Sequence, residues 1–338
     1  MLVGSLVFPY FIYIMYSSSE LLQMVNKAIE SLPYDRKPSA LYDPIKYVLS
    51  LGGKRLRPVL MLMAYNMFKE DVERILMPAI AIETYHNFTL LHDDLMDRAE
   101  VRRGKPCVHK KWNDNAAILS GDNMLVLAFY RMIQCDEKYM PSVLRLFTET
   151  ALEIDEGQQF DIDFESRSDV TEDEYIEMIR LKTSVLLACA LKIGGILGGA
   201  TEQDADALYE FGEKLGLAFQ LQDDYLDVYG NFKTFGKQIG GDIMCNKKTY
   251  MLINAQLLAN GEQARELTMW LNKENPQREE KVAAVTRLYD KIGVPQLVQN
   301  KINQYYQEAA QALARISLPQ ERTAVLWNYA QSMLNRES

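Results

Sequence analysis

Two acidic runs with one spacing constrain this chain more than any other feature: Asp93-Asp94-Leu95-Met96-Asp97 and Asp223-Asp224-Tyr225-Leu226-Asp227. Each follows an apolar stretch with helical spacing, so its carboxylates fall at i, i+1 and i+4, the first and last on one helix face. Like charges about 4 Å apart repel by roughly 4 kcal/mol at an effective dielectric of 20. The two triads can therefore share a pocket only if something neutralises them. Acid oxygens so arranged suit Mg²⁺, which binds through one or two carboxylates plus substrate phosphates. One such run alone reads as an acidic, solvated helix end, because short motifs recur by chance. Its repetition points to a polymetal site for a polyphosphate.

The rest of the chain reads as helix. Apolar residues recur every three to four positions after Ser17, with no sustained period-two alternation. Ser19 is placed to cap a first helix, Tyr42–Leu51 reads as a second, and Pro58 suits the first turn of the next. Thr171-Glu172-Asp173-Glu174 is a capping box that opens a helix running through Lys182. Gly194, Gly195, Gly198 and Gly199 end that helix or let a neighbour approach closely. Arg98–Asp114 and Gly230–Asn246 read as polar loops. The expected fold class is all-α, a single domain over residues 17–338, with residues 1–16 an apolar extension outside it. That extension lacks a leading Lys or Arg, is broken by Pro9, and falls short of the roughly 20 residues a spanning helix needs. Met15 reads as the natural start, and a weak membrane-surface anchor is the lesser reading.

A net charge of −9 argues against nucleic acid as the main partner. The cysteines, Cys107, Cys135, Cys189 and Cys245, are widely spaced without a CxxC and read as reduced thiols of a cytoplasmic protein. An acidic protein that binds phosphate needs local cations, and they are present. Gly52-Gly53-Lys54-Arg55-Leu56-Arg57-Pro58 sets basic residues at a loop-to-helix junction, where backbone N–H groups favour anions. Arg102-Arg103-Gly104 follows the first acidic run; Gly236-Lys237 and Asn246-Lys247-Lys248 follow the second. Lys182-Thr183 sits inside an apolar helix, where an unpaired ammonium is costly, so a carboxylate or phosphate partner is expected. His86 lies two turns before Asp93; it is either a satisfied core histidine or a phosphate ligand. Asp161, Asp163 and Glu165 read as a solvated helix end.

In order, GGKRLRP, DDLMD with RRG, KT, FQLQDDYLD and the GK…GGD…NKK segment resemble the trans-isoprenyl diphosphate synthases, the farnesyl and geranylgeranyl diphosphate synthase group. The likeness runs from about Pro33 to Asn254. It implies a bundle of ten or more mostly antiparallel helices around an apolar cavity, a homodimer, and no stable membrane insertion. It implies condensation of isopentenyl diphosphate with an allylic diphosphate. By this resemblance Asp93, Asp97 and Asp223 hold Mg²⁺, in all three ions, with Asp94, Asp224 and Asp227 in support. Arg102, Lys182, Lys237 and Lys247 bind the allylic diphosphate, and Thr183 and Gln220 lie near the developing cation. Lys54, Arg57, His86 and Arg103 bind isopentenyl diphosphate.

Residues just before the first acidic run set the cavity floor in this family, so Phe88 and Thr89 bear on product length. Thr89 lies four residues before Asp93, on its face and about 6 Å back along the axis. Phe88 is roughly 140° round the helix, where simple geometry does not place it in the tail's path, though its bulk still argues against very long products. A small Thr89 where farnesyl-forming relatives carry an aromatic favours a C20 product, with C15 next. A class I terpene cyclase would carry a mixed Asn/Ser/Glu motif in place of DDYLD, and a non-catalytic partner subunit would lose one acidic motif.

Overall fold

The computed structural model describes residues 13–230 and 239–334. Its first three helices are α1 (Ser18–Glu30), α2 (Ser39–Ser50) and α3 (Leu56–Asn66). The long α4 (Leu76–Met96) ends in the first acidic run, and α5 (Val108–Lys111), α6 (Asp114–Met132) and α7 (Met140–Ser166) follow. Next come α8 (Glu172–Ile179), a π-helical turn at Arg180–Ser184, α9 (Val185–Gly198) and α10 (Glu202–Tyr229), which carries the second acidic run. The chain closes with α11 (Gly241–Cys245), α12 (Tyr250–Leu258), α13 (Gly261–Leu271), α14 (Arg278–Ile292), α15 (Val294–Ala314) and α16 (Gln320–Leu334). The all-α reading holds.

Local chemistry sets the helix ends. Ser17, not Ser19, caps α1: its hydroxyl accepts from Glu20 N, and the Glu20 carboxylate accepts from Ser17 N at 2.8 Å. Thr171 and Glu174 form the expected box on α8. The predicted loop at Arg98–Asp114 contains more order than its polarity indicates. Val101–Arg102 and Lys105–Pro106 pair as a two-stranded hairpin, with Val101 opposite Pro106. Its two-residue turn, Arg103-Gly104, has positive φ at both positions (52° and 72°), as a type I′ turn requires. Two-residue strands are too short to show alternation in a sequence.

The glycines of α9 do both things expected of them. Gly199, at φ 85°, ends the helix. Gly194 packs α9 onto α3 so closely that an added Cβ would lie 2.3 Å from the Met61 carbonyl oxygen. Two apolar clusters result. One gathers α1–α4, α6, α7, α9 and the first half of α10; the other gathers α8, the second half of α10 and α11–α15. α10 runs through both, and its acidic end belongs to the second. Among the described residues one stretch is long and apolar enough to cross a membrane, Glu172–Gly198, and 78% of its apolar window is buried, which marks a core helix.

The boundary drawn at residue 16 is corrected. Tyr13 Oη donates to the Asn66 carbonyl (2.9 Å), Ile14 N to Glu70 Oε1 (2.9 Å) and Tyr16 N to Asn66 Oδ1 (2.8 Å). These contacts put the fold's edge at or before Tyr13; the earlier residues of the extension lie outside the described residues.

Gly194→Ala should destabilise the protein by about 1–3 kcal/mol, the usual cost of overpacking. Gly261→Ala, where an added methyl meets open space, should stay within about 0.5 kcal/mol of the parent. Urea melts of the two variants decide this, and equal midpoints would refute the close contact between α9 and α3.

Candidate active site

The two acidic helix ends open onto one cavity of about 900 Å³, lined by Asp93 and Asp97 from α4 and by Asp223, Asp224 and Asp227 from α10. Asp94 turns away from it. Only 6% exposed, Asp94 is clasped by Arg102, whose Nε lies 2.8 Å from both carboxylate oxygens. The hairpin turn thus delivers Arg102 to the first acidic run, and its other guanidinium nitrogen reaches Asp93 at 3.5 Å. Asp97 is raised above the ordinary carboxylate range by burial and by Asp93 beside it. That is the repulsion expected of crowded acids.

Lys182 has the carboxylate partner that its sequence setting demanded, and a second one. Its Nζ stands 2.7 Å from Asp161 and 3.2 Å from Asp93. The π-helical turn at Arg180–Ser184 re-aims this side chain out of an otherwise apolar helix, a common use of such turns at functional sites. Asp161 is accordingly not a solvated helix end. Lys247 Nζ lies 4.0 Å from it, and although burial alone would raise the Asp161 carboxyl, Lys247 and Lys182 hold it below its usual range. Burial would lower the Lys247 ammonium, but Asp161, Asp242 and Asp224 keep it above normal.

The second run is supported from behind. Tyr175 donates a short hydrogen bond to Asp224, Gln220 Nε2 donates to the other Asp224 oxygen (3.1 Å), and Thr183 donates to Gln220 (3.2 Å). Burial and the nearby Asp242 push the Asp224 carboxyl up to about 7. Asp227 accepts from the Asp242 backbone N–H at 3.0 Å, and so fixes the start of α11 against α10. Sequence reasoning missed Asp161, Tyr175 and Asp242 as site residues. Asp242 was signalled by the GGD of the quoted motif; Tyr175 carried no signal, since its role depends on how α8 packs against α10. Lys237 lies outside the described residues.

Lys54, Arg57, His86 and Arg103 line the same cavity. Arg57 donates to His86 Nε2 at 3.1 Å, which leaves the proton of the neutral ring on Nδ1. Burial, then Arg57 and Arg103, push His86 well below the ordinary histidine range, so it stays uncharged among cations. Burial lowers Arg57 to about 10. Arg103 crosses the cavity mouth to donate to the Gly52 carbonyl.

Phe88, Thr89, Ile154, Leu186 and Phe219 line the apolar part of the cavity. The ideal-helix argument against Phe88 is corrected. That angle fixes the direction of Cβ, not the reach of a phenyl ring, and Phe88 lines the cavity while stacking edge-to-face on His92 (4.9 Å) and Tyr85 (5.5 Å). The Thr89 hydroxyl is taken up by the His86 carbonyl (2.9 Å).

Among the described residues, no three His, Cys, Asp or Glu side chains gather tightly enough to cage a metal by themselves. The donor set still fits Mg²⁺, because its carboxylates are hard oxygen ligands facing one polar chamber and this ion takes much of its shell from water and phosphate. Cations ring the same chamber. Chemically the arrangement can take phosphate groups among its cations and an apolar chain beside Phe88, Ile154, Leu186 and Phe219.

The polyprenyl synthetase family model matches residues 38–289. A geranylgeranyl diphosphate synthase of Methanosarcina mazei is 39% identical over 315 residues, covering 93% of this chain and 95% of that one. A geranylfarnesyl diphosphate synthase of Natronomonas pharaonis is 40% identical over 257 residues, covering 70% and 75%. The crystal structure of a geranylgeranyl pyrophosphate synthase superposes with TM-score 0.90 at 41% identity, covering 96% of this chain and all of that one. The chain belongs to the polyprenyl synthetase family. It is a trans-isoprenyl diphosphate synthase, and therefore a prenyltransferase.

Lys182→Met should lower turnover about 10²- to 10³-fold, the usual cost of removing one donor aimed at developing negative charge. Steady-state release of diphosphate measures it. Activity within tenfold of the parent would show that Lys182 only balances Asp93 and Asp161.

Proposed function

We propose that this enzyme joins isopentenyl diphosphate head to tail with an allylic diphosphate and extends the chain to a C20 trans-prenyl product. The observation that carries the proposal is the single cavity in which both acidic runs, both sets of cations and an apolar pocket meet. Asp93, Asp97 and Asp223 would hold Mg²⁺, three ions in this reading, which when bound would supply charge stabilisation to the departing diphosphate. Arg102, Lys182, Lys247 and Lys237 grip that diphosphate as the C1–O bond breaks and its electron pair leaves with the oxygen. Thr183 and Gln220, joined by their hydrogen bond, face the allylic cation with oxygen dipoles. Lys54, Arg57, Arg103 and the uncharged His86 hold isopentenyl diphosphate so that its double bond attacks C1. A proton then passes to the released diphosphate, which accounts for a site without a dedicated general base.

The C20 length rests on the small Thr89, on Phe88 as a partial floor, and on the names of the geranylgeranyl-forming relatives. The described residues from Tyr13 onward act as one synthase domain in this reading. The exposed stripe Leu119, Val126, Tyr130 and Ile133 along α6, with Leu152 on α7, supports a homodimer, since exposed apolar patches of this kind mark interaction surfaces. The buried setting of its most apolar helix supports a cytoplasmic protein.

Purified protein with Mg²⁺, isopentenyl diphosphate and dimethylallyl, geranyl or farnesyl diphosphate should release inorganic diphosphate and form prenyl products, sized by chromatography. Asp93→Ala or Asp223→Ala should cut turnover about 10³-fold or more with helical circular dichroism intact; no turnover by the parent, or full turnover by the variants, refutes the proposal. Phe88→Ala should shift the products beyond C20. An unchanged distribution would move the floor to another residue.

A further inference from the structure

The loop leading into α3 has a demanding backbone. Gly52, Gly53 and Arg55 all take positive φ, at 74°, 125° and 49°, and a residue with a side chain adopts that region only at a cost. The Arg55 guanidinium holds it there. It is 4% exposed and donates to Glu83 Oε1 (2.7 Å), to the Leu49 carbonyl (2.5 Å) and more weakly to Asn26 Oδ1 (3.4 Å). Glu83, 2% exposed, is fixed in turn by Asn87 Nδ2 at 2.8 Å. This network ties α1, α2 and α4 to the residue that opens α3.

Arg55 and Glu83 border the same cavity as Lys54 and Arg57, and Arg103 lies against Gly53 so tightly that an added Cβ would sit 2.8 Å from its guanidinium carbon. Shifting Arg55 would move all of these cations. A buried ion pair is weak evidence for stability, because apolar side chains of equal volume often serve as well. Its position under a substrate-binding loop gives it another use. Glu83 also offsets part of the burial penalty on Arg57 and on Arg103.

We infer that Glu83, acting through Arg55 and braced by Asn87, is a positioning residue for the isopentenyl diphosphate half of the site, holding Lys54, Arg57 and Arg103 in convergence without serving the allylic half. The inference rests on the assignment of that corner to isopentenyl diphosphate made above. Glu83→Gln keeps the side-chain volume and removes the charge. It should raise both KM and the calorimetric Kd for isopentenyl diphosphate at least tenfold, with kcat and the KM for the allylic substrate changing less than threefold. Asn87→Ala, a milder change for use if Glu83→Gln fails to fold, should shift the same two constants about threefold in the same direction.

A variant that only melts at lower temperature, with both KM values unchanged, would overturn the inference and leave the pair a structural brace. So would an equal rise in both KM values or a fall confined to kcat. Parent protein that binds isopentenyl diphosphate without turnover would defeat the synthase reading, while the Kd comparison would still decide the role of Glu83. Parent protein that does not bind it would defeat both.

Discussion

The structure depends on mutual neutralisation inside one chamber. Carboxylates from the ends of α4 and α10 line the same cavity; Lys182 and Arg102 stand 3.2 and 3.5 Å from Asp93, and Lys182 and Lys247 stand 2.7 and 4.0 Å from Asp161 on α7. Lys182 bridges Asp93 and Asp161, so a helix on each side of the cavity is tied to the π-helical turn between them. Without those cations the acids would repel and the helix ends would separate. The same cations are what a diphosphate requires.

The acids divide into two populations. Asp93, Asp97 and Asp223 face the cavity, as does Asp227, which is also committed to the backbone of Asp242, whereas Asp94 is clasped by Arg102 outside it. Asp224 lies between these groups, lining the cavity but tethered by Tyr175 and Gln220. A motif with three like side chains therefore performs different tasks, and the packing around each one decides which.

Most of the architecture could be read from the sequence because helix period, capping boxes and glycines are local signals. Thr171 and Glu174 marked their own helix start, and the α9 glycines announced a close neighbour. The paired acidic runs and basic motifs also identified the residues that meet. What escaped depended on long-range packing. Asp161 sits in an acidic cluster that looks solvated until α9's π-helical approach sets Lys182 against it, and Tyr175 lacks any pattern of its own. The hairpin of Val101–Pro106 was hidden by its brevity. Phe88 was misjudged by treating a side chain as a direction rather than a volume.

Successive turns of α4 bring His86, Phe88, Thr89 and Asp93 to the wall of one cavity, with Asp97 just past the helix end. On a helix that advances 1.5 Å per residue, the gap between reactive centre and end stop is written as a count of positions. Under the proposed function, product size can thus drift over evolutionary time by exchanging a single side chain on this ruler, with the chemistry left untouched.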